Sequence, residues 1–566
     1  MAAALDGGIC RIRLPGGVLT AVQARTVAQA SRTFGNGIVE LTNRANLQLR
    51  GIGAVVPTGQ GLRDTPPDLI AALTDAGLGP TPWPTSEQTA PALSVPGAPI
   101  ALATADAVRN ILISPAAGFD RGMRVDTRPL LAASLARLAR RIAQGDATAL
   151  LDGKTGLASR PSALDTACAT AKGAKSIETD SPIADAVPTA LPLSAKFAIQ
   201  IDGGENLTVL GHHHDLWFCA LDTSRDGALG ATDKGEASDT GDWFAFGLAS
   251  SIPCEDETPM HREPSQCDVS NEHLVSDPAV GLLRAVDVPA AIDALVAHFL
   301  RLRTMGLARD NDGRTAGRLR DILAPSDHAA RRAYVAAAFA AGGPRVAYPD
   351  WLMQWRRPRP THDARRTLGL LMQAAASVAS PGAARASRYA LGVQSVLGRI
   401  SPTQLDTLAT LSERYGDGSL RITPWQGVIL PNLTGDRDDD AGQARDAARR
   451  AGLIVDAHDP VTRLHACAGS TGCAKAGADT KADALRLAAK LAVRTPDDRP
   501  HAEVHLSGCE RRCASAVTRE FTLIALRPNR YALHRRNDGL GHDVLLCSDI
   551  DIDAAADRIL KETVSP

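Results

Sequence analysis

The chain has 566 residues, of which 44% are hydrophobic and 22% charged, with a formal net charge of -1. That length exceeds the roughly 250 to 300 residues at which single hydrophobic cores stop growing, so several domains are expected, and the composition excludes disorder across the whole chain. No basic excess supports nucleic-acid or anionic-membrane binding, and no run reaches the ~18 to 20 uninterrupted apolar residues of a spanning helix. Asp6 and the lack of a basic stretch ahead of an apolar one give no secretion signal, so a cytoplasmic location is expected. Ten cysteines are too sparse for a disulfide scaffold, and a reducing compartment would keep them as thiols.

In chain order, the first element is a unit that recurs. Gly17, Leu19, Thr20, Gln23, Phe34, Gly35, Asn36, Gly37, Leu41 and Thr42 match Gly398, Ile400, Ser401, Gln404, Tyr415, Gly416, Asp417, Gly418, Ile422 and Thr423 at one constant, ungapped offset. Thr20 with Gln23, and Ser401 with Gln404, form capping boxes that open a helix in each copy. Pro402 suits the first helical position, and Leu405, Leu408, Leu411 and Tyr415 follow at helical spacing. Gly35 and Gly416 are expected to end the helices in left-handed backbone, and the Asn36-Gly37 and Asp417-Gly418 pairs to turn the chain into strands 38–42 and 419–423. Each copy is a strand, helix, turn, strand unit too short to bury its own sheet, so the two are expected to pair about a pseudo-twofold axis.

Between the copies, 179–192 and 224–278 are rich in Gly, Ser, Asp and Pro and read as linker or surface insertion. His212-His213-His214-Asp215 carries the ligand types of a two-histidine, one-carboxylate iron site, with His212 and His214 on one face of a strand. Residues 287–303 read as a helix with Ile292, Leu295, Val296, Phe299 and Leu300 on one face. The segment 324–385 reads as a connection, and Trp355-Arg356-Arg357-Pro358-Arg359-Pro360 within it as an exposed loop.

The grouped cysteines carry the chemistry. Cys467 and Cys473 are separated by five residues, and Cys509 and Cys513 by three, giving four thiolates, the ligand set of a 4Fe-4S cubane. Gly469, Gly472 and Gly508 allow main-chain N–H groups to approach the sulfurs. The alternatives are a structural zinc site, against which the five-residue gap counts, and buried free thiols. His465 and His505 are expected to support the cluster rather than ligate it.

The Cys-x5-Cys and Ser-Gly-Cys-x3-Cys pattern resembles the cluster signature of the sulfite and nitrite reductase family. Thr42-Asn43-Arg44-Ala45-Asn46-Leu47-Gln48-Leu49-Arg50-Gly51-Ile52, Arg109-Asn110 with Pro115-Ala116-Ala117-Gly118, and Leu191-Pro192 with Lys196-Phe197 resemble three further segments of it. The resemblance implies an α+β fold, with two ferredoxin-like half-domains related by pseudo-twofold symmetry and two mixed α/β domains that bind the cluster and a tetrapyrrole. Mapped on this chain, the half-domains fall at 1–75 and 386–455, the α/β domains at 76–323 and 456–566, and a linker at 324–385. It also implies a 4Fe-4S cluster on the four cysteines, with Cys513 bridging to sirohaem, and an anion held by Arg44, Arg109 and Lys196. Ala198 stands where the family has a further lysine or asparagine. Losing one donor aimed at developing charge typically costs a factor of ~10² to 10³, which disfavours an oxyanion reductase.

Thr423-Pro424-Trp425-Gln426-Gly427 is similar to a segment of the precorrin-3B synthases. That likeness implies an oxygen-dependent monooxygenase of cobalamin biosynthesis, which hydroxylates precorrin-3A and closes a lactone. Its substrate's carboxylates would meet Arg44, Arg50, Arg109 and Lys196, with Asn46 and Gln48 on the same segment. Electrons would arrive from a reductase or ferredoxin, indirectly from NAD(P)H. Dioxygen would need another iron, either sirohaem or a mononuclear non-haem centre. A sirohaem-dependent sulfite or nitrite reductase and a non-enzymatic metal-binding scaffold are the alternative readings.

Overall fold

The computed structural model describes residues 2–53, 66–79, 105–143, 193–209, 214–222, 242–254, 277–323, 327–340, 342–358, 367–373, 388–433, 440–494, 502–515, 519–537 and 543–564. They divide into two units, one built from the described residues within 1–79 and 361–566, the other from those within 80–256 and 274–360. Both combine helices with mostly antiparallel or mixed sheets, an α+β architecture.

In the first unit the repeat folds as its pattern predicts. Thr20 and Ser401 accept the backbone N–H of Gln23 and Gln404 at 3.2 and 3.1 Å, and the two glutamine side chains return the bond. The helices Ala21–Phe34 and Pro402–Tyr415 follow. Five strands lie beside each. One sheet has the order Ala2–Ala4, Gly7–Ile12, Leu47–Ile52, Val39–Leu41, Arg399–Ile400, and the other Gly369–Met372, Tyr389–Gln394, Gly427–Leu433, Ser419–Ile422, Val18–Thr20. The copies exchange a strand: Val18–Thr20 pairs with the later copy, and Arg399–Ile400 with the earlier. Across the helix pair, Arg25 bonds Glu413 and Arg32 bonds Asp406, two ion pairs that interchange under the repeat offset. A shared core containing Leu19, Val27, Leu49, Leu405, Leu408 and Leu430 fills the space between. This reciprocity is the expected pseudo-twofold.

The reason given above for the terminating glycines needs correction. Gly35 and Gly416 have φ of -112° and -118°, extended backbone open to any residue, and the left-handed positions are Gly37 and Gly418 at 75° and 77°. Glycine is required at 35 and 416 by crowding: a Cβ would lie 2.7 Å from Arg50 O and 2.8 Å from Pro431 O.

The rest of the first unit is a mixed sheet, Leu464–Ala466, Val504–Ser507, Phe521–Arg527, Arg530–Arg535, Val544–Ile550, whose first three strands are parallel. Helices Thr480–Arg494 and Ile552–Val564 pack on it through Leu487, Leu491, Ala556 and Ile559. The second unit has the same arrangement. Ile111–Leu112, Ile199–Asp202 and His214–Ala220 are parallel, and Trp243–Ser250 and Gly281–Arg284 continue antiparallel. Its helices are Thr127–Ala143 and Val288–Thr304, the latter burying Ile292, Leu295, Val296, Phe299 and Leu300 as expected. The duplication thus extends beyond the segment visible in sequence.

Two readings change. Trp243–Ser250, placed in an insertion, is an interior strand buried on both faces. The run from Trp355 is not an exposed loop: Trp355 and Arg357 are buried, and Arg357 Nε donates to Asp202 at 2.9 Å. Within 324–385, His328–Phe339 is a helix whose Tyr334 and Val335 enter the second unit's core. The 179–192 insertion, Leu191, Pro192, His212, His213, Arg359 and Pro360 lie outside the described residues. No helix among those described is long and apolar enough to cross a membrane.

Candidate iron–sulfur site

Strands Leu464–Ala466 and Val504–Ser507 run parallel with His465 opposite His505, so the chain leaves both at the same sheet end. Ligands of open α/β sheets gather outside the carboxyl ends of parallel strands, and Cys467 and Cys509 stand there. Cys467 Sγ accepts the Gly508 N–H at 3.2 Å and lies 3.5 Å from the Thr480 hydroxyl, at the start of helix Thr480–Arg494. A Cβ at Gly508 would come within 2.5 Å of Ala476 Cβ and 3.3 Å of that sulfur, so only glycine lets this N–H reach it. Gly477 N–H donates to Gly508 O at 2.7 Å, tying the two cysteine segments together, and Cys473 N–H closes a turn on Gly469 O at 2.9 Å.

Burial raises the Cys513 thiol, and the negative charge of Cys509, Cys467 and Cys473 raises it further, so the other three cysteines lie near enough to act on Cys513. Each is a free cysteine, Cys513 the most exposed. No group of three or more His, Cys, Asp or Glu side chains among the described residues is gathered so as to hold a single metal ion. A cubane spreads its thiolates more widely than a tetrahedral zinc, which draws four sulfurs to roughly 3.8 Å. The close glycine, the N–H to sulfur bond and the nearness of three cysteines to Cys513 fit such a cluster.

The histidines are held neutral. Burial lowers His505 to about 3, assisted by Arg512 and Arg519, and lowers His465 well below its ordinary value. Above the cysteine loop, Arg50 Nη2 donates to Gly472 O at 3.1 Å while its other nitrogens engage Asp6 at 2.8 Å and Glu40 at 3.3 Å. Arg399 also reaches Glu40, at 3.5 Å. Lys481, one residue into the helix from Thr480, is buried and donates to Leu397 O at 2.5 Å. Glu40, Arg399, Thr480 and Lys481 carried no sequence signal, because no fixed spacing relates them to the cysteines.

The ferredoxin-like half-domain of nitrite/sulfite reductases matches residues 4–54 and 383–441. The two repeats are what that half-domain matches. The ferredoxin–nitrite reductase of Synechococcus elongatus is 24% identical over 552 residues, covering 96% of this chain and 81% of that protein. The precorrin-3B synthase of a Sinorhizobium species is 29% identical over 143 residues, 25% of this chain and 30% of that protein. The structure of the NirA protein of Mycobacterium tuberculosis superposes with a TM-score of 0.60 at 17% identity, covering 97% of this chain and 79% of that one, a likeness of fold. The half-domain match and the likeness to the Synechococcus enzyme support the nitrite/sulfite reductase family, whose 4Fe-4S cluster and sirohaem agree with the four-cysteine set.

The half-domain relation clarifies the remaining site residues. Thr42 and Asn46 close a turn through Thr42 N–H to Asn46 O at 2.9 Å and Asn46 N–H to Thr42 Oγ1 at 3.1 Å, with Ala45 left-handed at φ 53°. Thr423 and Gly427 repeat it at 2.9 and 3.1 Å, with Gln426 at φ 63°. Trp425 therefore occupies the repeat position of Arg44. Asn46 is buried, its amide oxygen accepting Leu14 N–H at 2.8 Å, and Gln48 is a strand position opposite Glu40 and Arg11. Arg50 is enclosed by carboxylates. Asn46 and Arg50 thus shape the segment.

In the second unit, Asn110 Nδ2 donates to Phe197 O at 2.8 Å, setting the Arg109 and Lys196 segments on neighbouring parallel strands. Burial lowers the Arg109 guanidinium, which lies 3.7 Å from Asp106, whereas Lys196 is exposed. Asp215 is fully committed: it accepts Ala198 N–H at 3.0 Å, Arg318 Nε at 2.7 Å and Leu319 N–H at 2.8 Å. Burial pushes its carboxyl up against the pull of Arg318. An anion so engaged is a poor iron ligand, so the His212 to Asp215 site loses its carboxylate.

Proposed function

We propose that the chain is an iron–sulfur monooxygenase of the precorrin-3B synthase type, which hydroxylates precorrin-3A and closes a lactone with dioxygen as the oxygen source. The observation that carries this reading is Ala198, apolar and buried, with its N–H given to Asp215, where an oxyanion reductase would want a further donor. The Thr423 to Gly427 segment and the stretch similar to the Sinorhizobium precorrin-3B synthase support it. Cys467, Cys473, Cys509 and Cys513 would hold the cluster, which when bound supplies single electrons. Arg44, Arg109 and Lys196 are assigned to substrate carboxylates, which arginine binds in bidentate fashion and lysine as a point charge. Trp425, at the repeat mate of Arg44, offers a flat apolar face suited to a macrocycle. A ferredoxin or a reductase drawing on NAD(P)H is the assigned donor, and a cytoplasmic location accords with that chemistry.

A second reading, a sirohaem-dependent nitrite or sulfite reductase, is favoured by the match to the Synechococcus enzyme across nearly the whole chain. One experiment separates them. The anaerobically reduced protein is mixed with precorrin-3A under labelled dioxygen, and in parallel with nitrite or sulfite under a reduced dye. Synthase activity puts one labelled oxygen atom into the tetrapyrrole, the other leaving as water with two electrons and two protons. Dye oxidation by nitrite or sulfite, with unlabelled precorrin, would overturn the proposal.

A further inference from the structure

Lys481 is 8% exposed, and its ammonium, which has three hydrogens to give, makes one hydrogen bond, to Leu397 O at 2.5 Å. No carboxylate among the described residues pairs with it. The carboxylate that does most to favour its charge, Glu40, is already shared by Arg50 and Arg399, so three cations bear on one carboxylate, while Asp6 is paired with Arg50. An ammonium taken out of water with so little compensation is costly, and the cost falls only if negative charge lies close by. The cysteine site can supply it. Arg50 holds Gly472 O, Thr480, the residue before Lys481, touches the Cys467 sulfur, and the Cys467 thiolate is among the charges that favour the Lys481 cation. Burial pushes that ammonium down to about 8, with Glu40 and Cys467 pulling the other way, so it is charged at neutral pH.

We infer that Lys481 is a positioning residue whose buried charge poises the four-cysteine cluster for reduction, with Glu40 setting how much of that charge the cluster feels. The inference rests on the cluster reading above. An electron arriving at the cluster adds negative charge, and a fixed cation in a low-dielectric surround stabilises the reduced form more than the oxidised one. Leu397, in left-handed backbone at φ 50°, presents its carbonyl to Lys481 and keeps the ammonium from swinging toward solvent.

The test is an electron-paramagnetic-resonance redox titration of the anaerobically purified holoprotein, with iron and acid-labile sulfide counted in every sample. In Lys481→Met, the ratio of reduced to oxidised cluster at a fixed applied potential is expected to fall about tenfold, which is ~59 mV for one electron. Lys481→Arg, which keeps the charge, should stay within about threefold of wild type, and Glu40→Gln should move the ratio upward. A cluster-loaded Lys481→Met protein with the wild-type ratio would overturn the inference. If that variant does not hold iron, Glu40→Gln decides, and an unchanged ratio there overturns it. If neither holds iron, the pair serves only to build the site, and the poising role is refuted. Wild-type protein without iron and sulfide would instead refute the cluster reading.

Discussion

Arg50 donates to the carbonyl oxygen of Gly472 at 3.1 Å, so a strand of the first half-domain grips the residue next to Cys473. The same guanidinium spans Asp6 and Glu40, and its side chain is only 6% exposed. The half-domain therefore does more for the cysteine loop than lie beside it.

Replacing Arg50 tests that grip. Arg50→Met leaves Asp6 without its partner and Glu40 with Arg399 alone, and should cost about 3 kcal/mol in denaturant unfolding. It should also speed loss of iron to a chelator, because Gly472 is released. Arg50→Lys keeps the charge but not the fork, and should recover little of either. Chelator kinetics matching wild type in Arg50→Met would remove the grip from the account.

His505 gives the protein an acid limit. Its ring is held neutral, with a folded-state value of about 3 against an ordinary 6.5, so the unfolded chain takes up a proton that the folded chain refuses. The stability this contributes is complete above 6.5 and is lost as pH falls toward 3. Between pH 6.5 and 5 the loss is about 2 kcal/mol, readable as a fall in the urea midpoint. His505→Gln should flatten that slope, and an unaltered slope would exclude the histidine as its source.

The repeat could be read from sequence because its determinants are local. A capping box needs residues three apart, and helical spacing needs one turn at a time, so Thr20, Gln23, Ser401 and Gln404 announced both helices. What Gly35 and Gly416 answer to is distant: Arg50 O and Pro431 O crowd them from another strand, and the φ-based explanation failed there. Trp243–Ser250 was obscured by the Gly- and Asp-rich residues around it, although its own run is apolar. The four cysteines stood out by spacing. The protein partners of Arg50, Asn46 and Asp215, which are Asp6, Leu14 and Arg318, could not be read from the sequence because they lie far away in it.

The caps should contribute equally in the two copies. Thr20→Ala and Ser401→Ala should each cost about 1 kcal/mol, and the double variant about the sum, since the boxes share no partner. Thermal unfolding of the three variants measures this. A silent Ser401→Ala would mean that Pro402 and packing already fix that helix start.

Asp215 is a structural anion by its bonds. Asp215→Asn weakens the partner of a buried Arg318 and should destabilise the protein by about 3 kcal/mol. Iron per folded chain should stay at the wild-type value. A specific loss of iron without loss of stability would restore Asp215 as a metal ligand.

The account turns on Cys467, Cys473, Cys509 and Cys513 sharing one cluster, and metal and sulfide analysis of anaerobically purified protein addresses it most directly. Wild type should carry about four acid-labile sulfide and at least about four iron per chain, and Cys473→Ser and Cys509→Ser should carry neither in full. Zinc in place of iron, or a full complement of iron and sulfide in either serine variant, would contradict it.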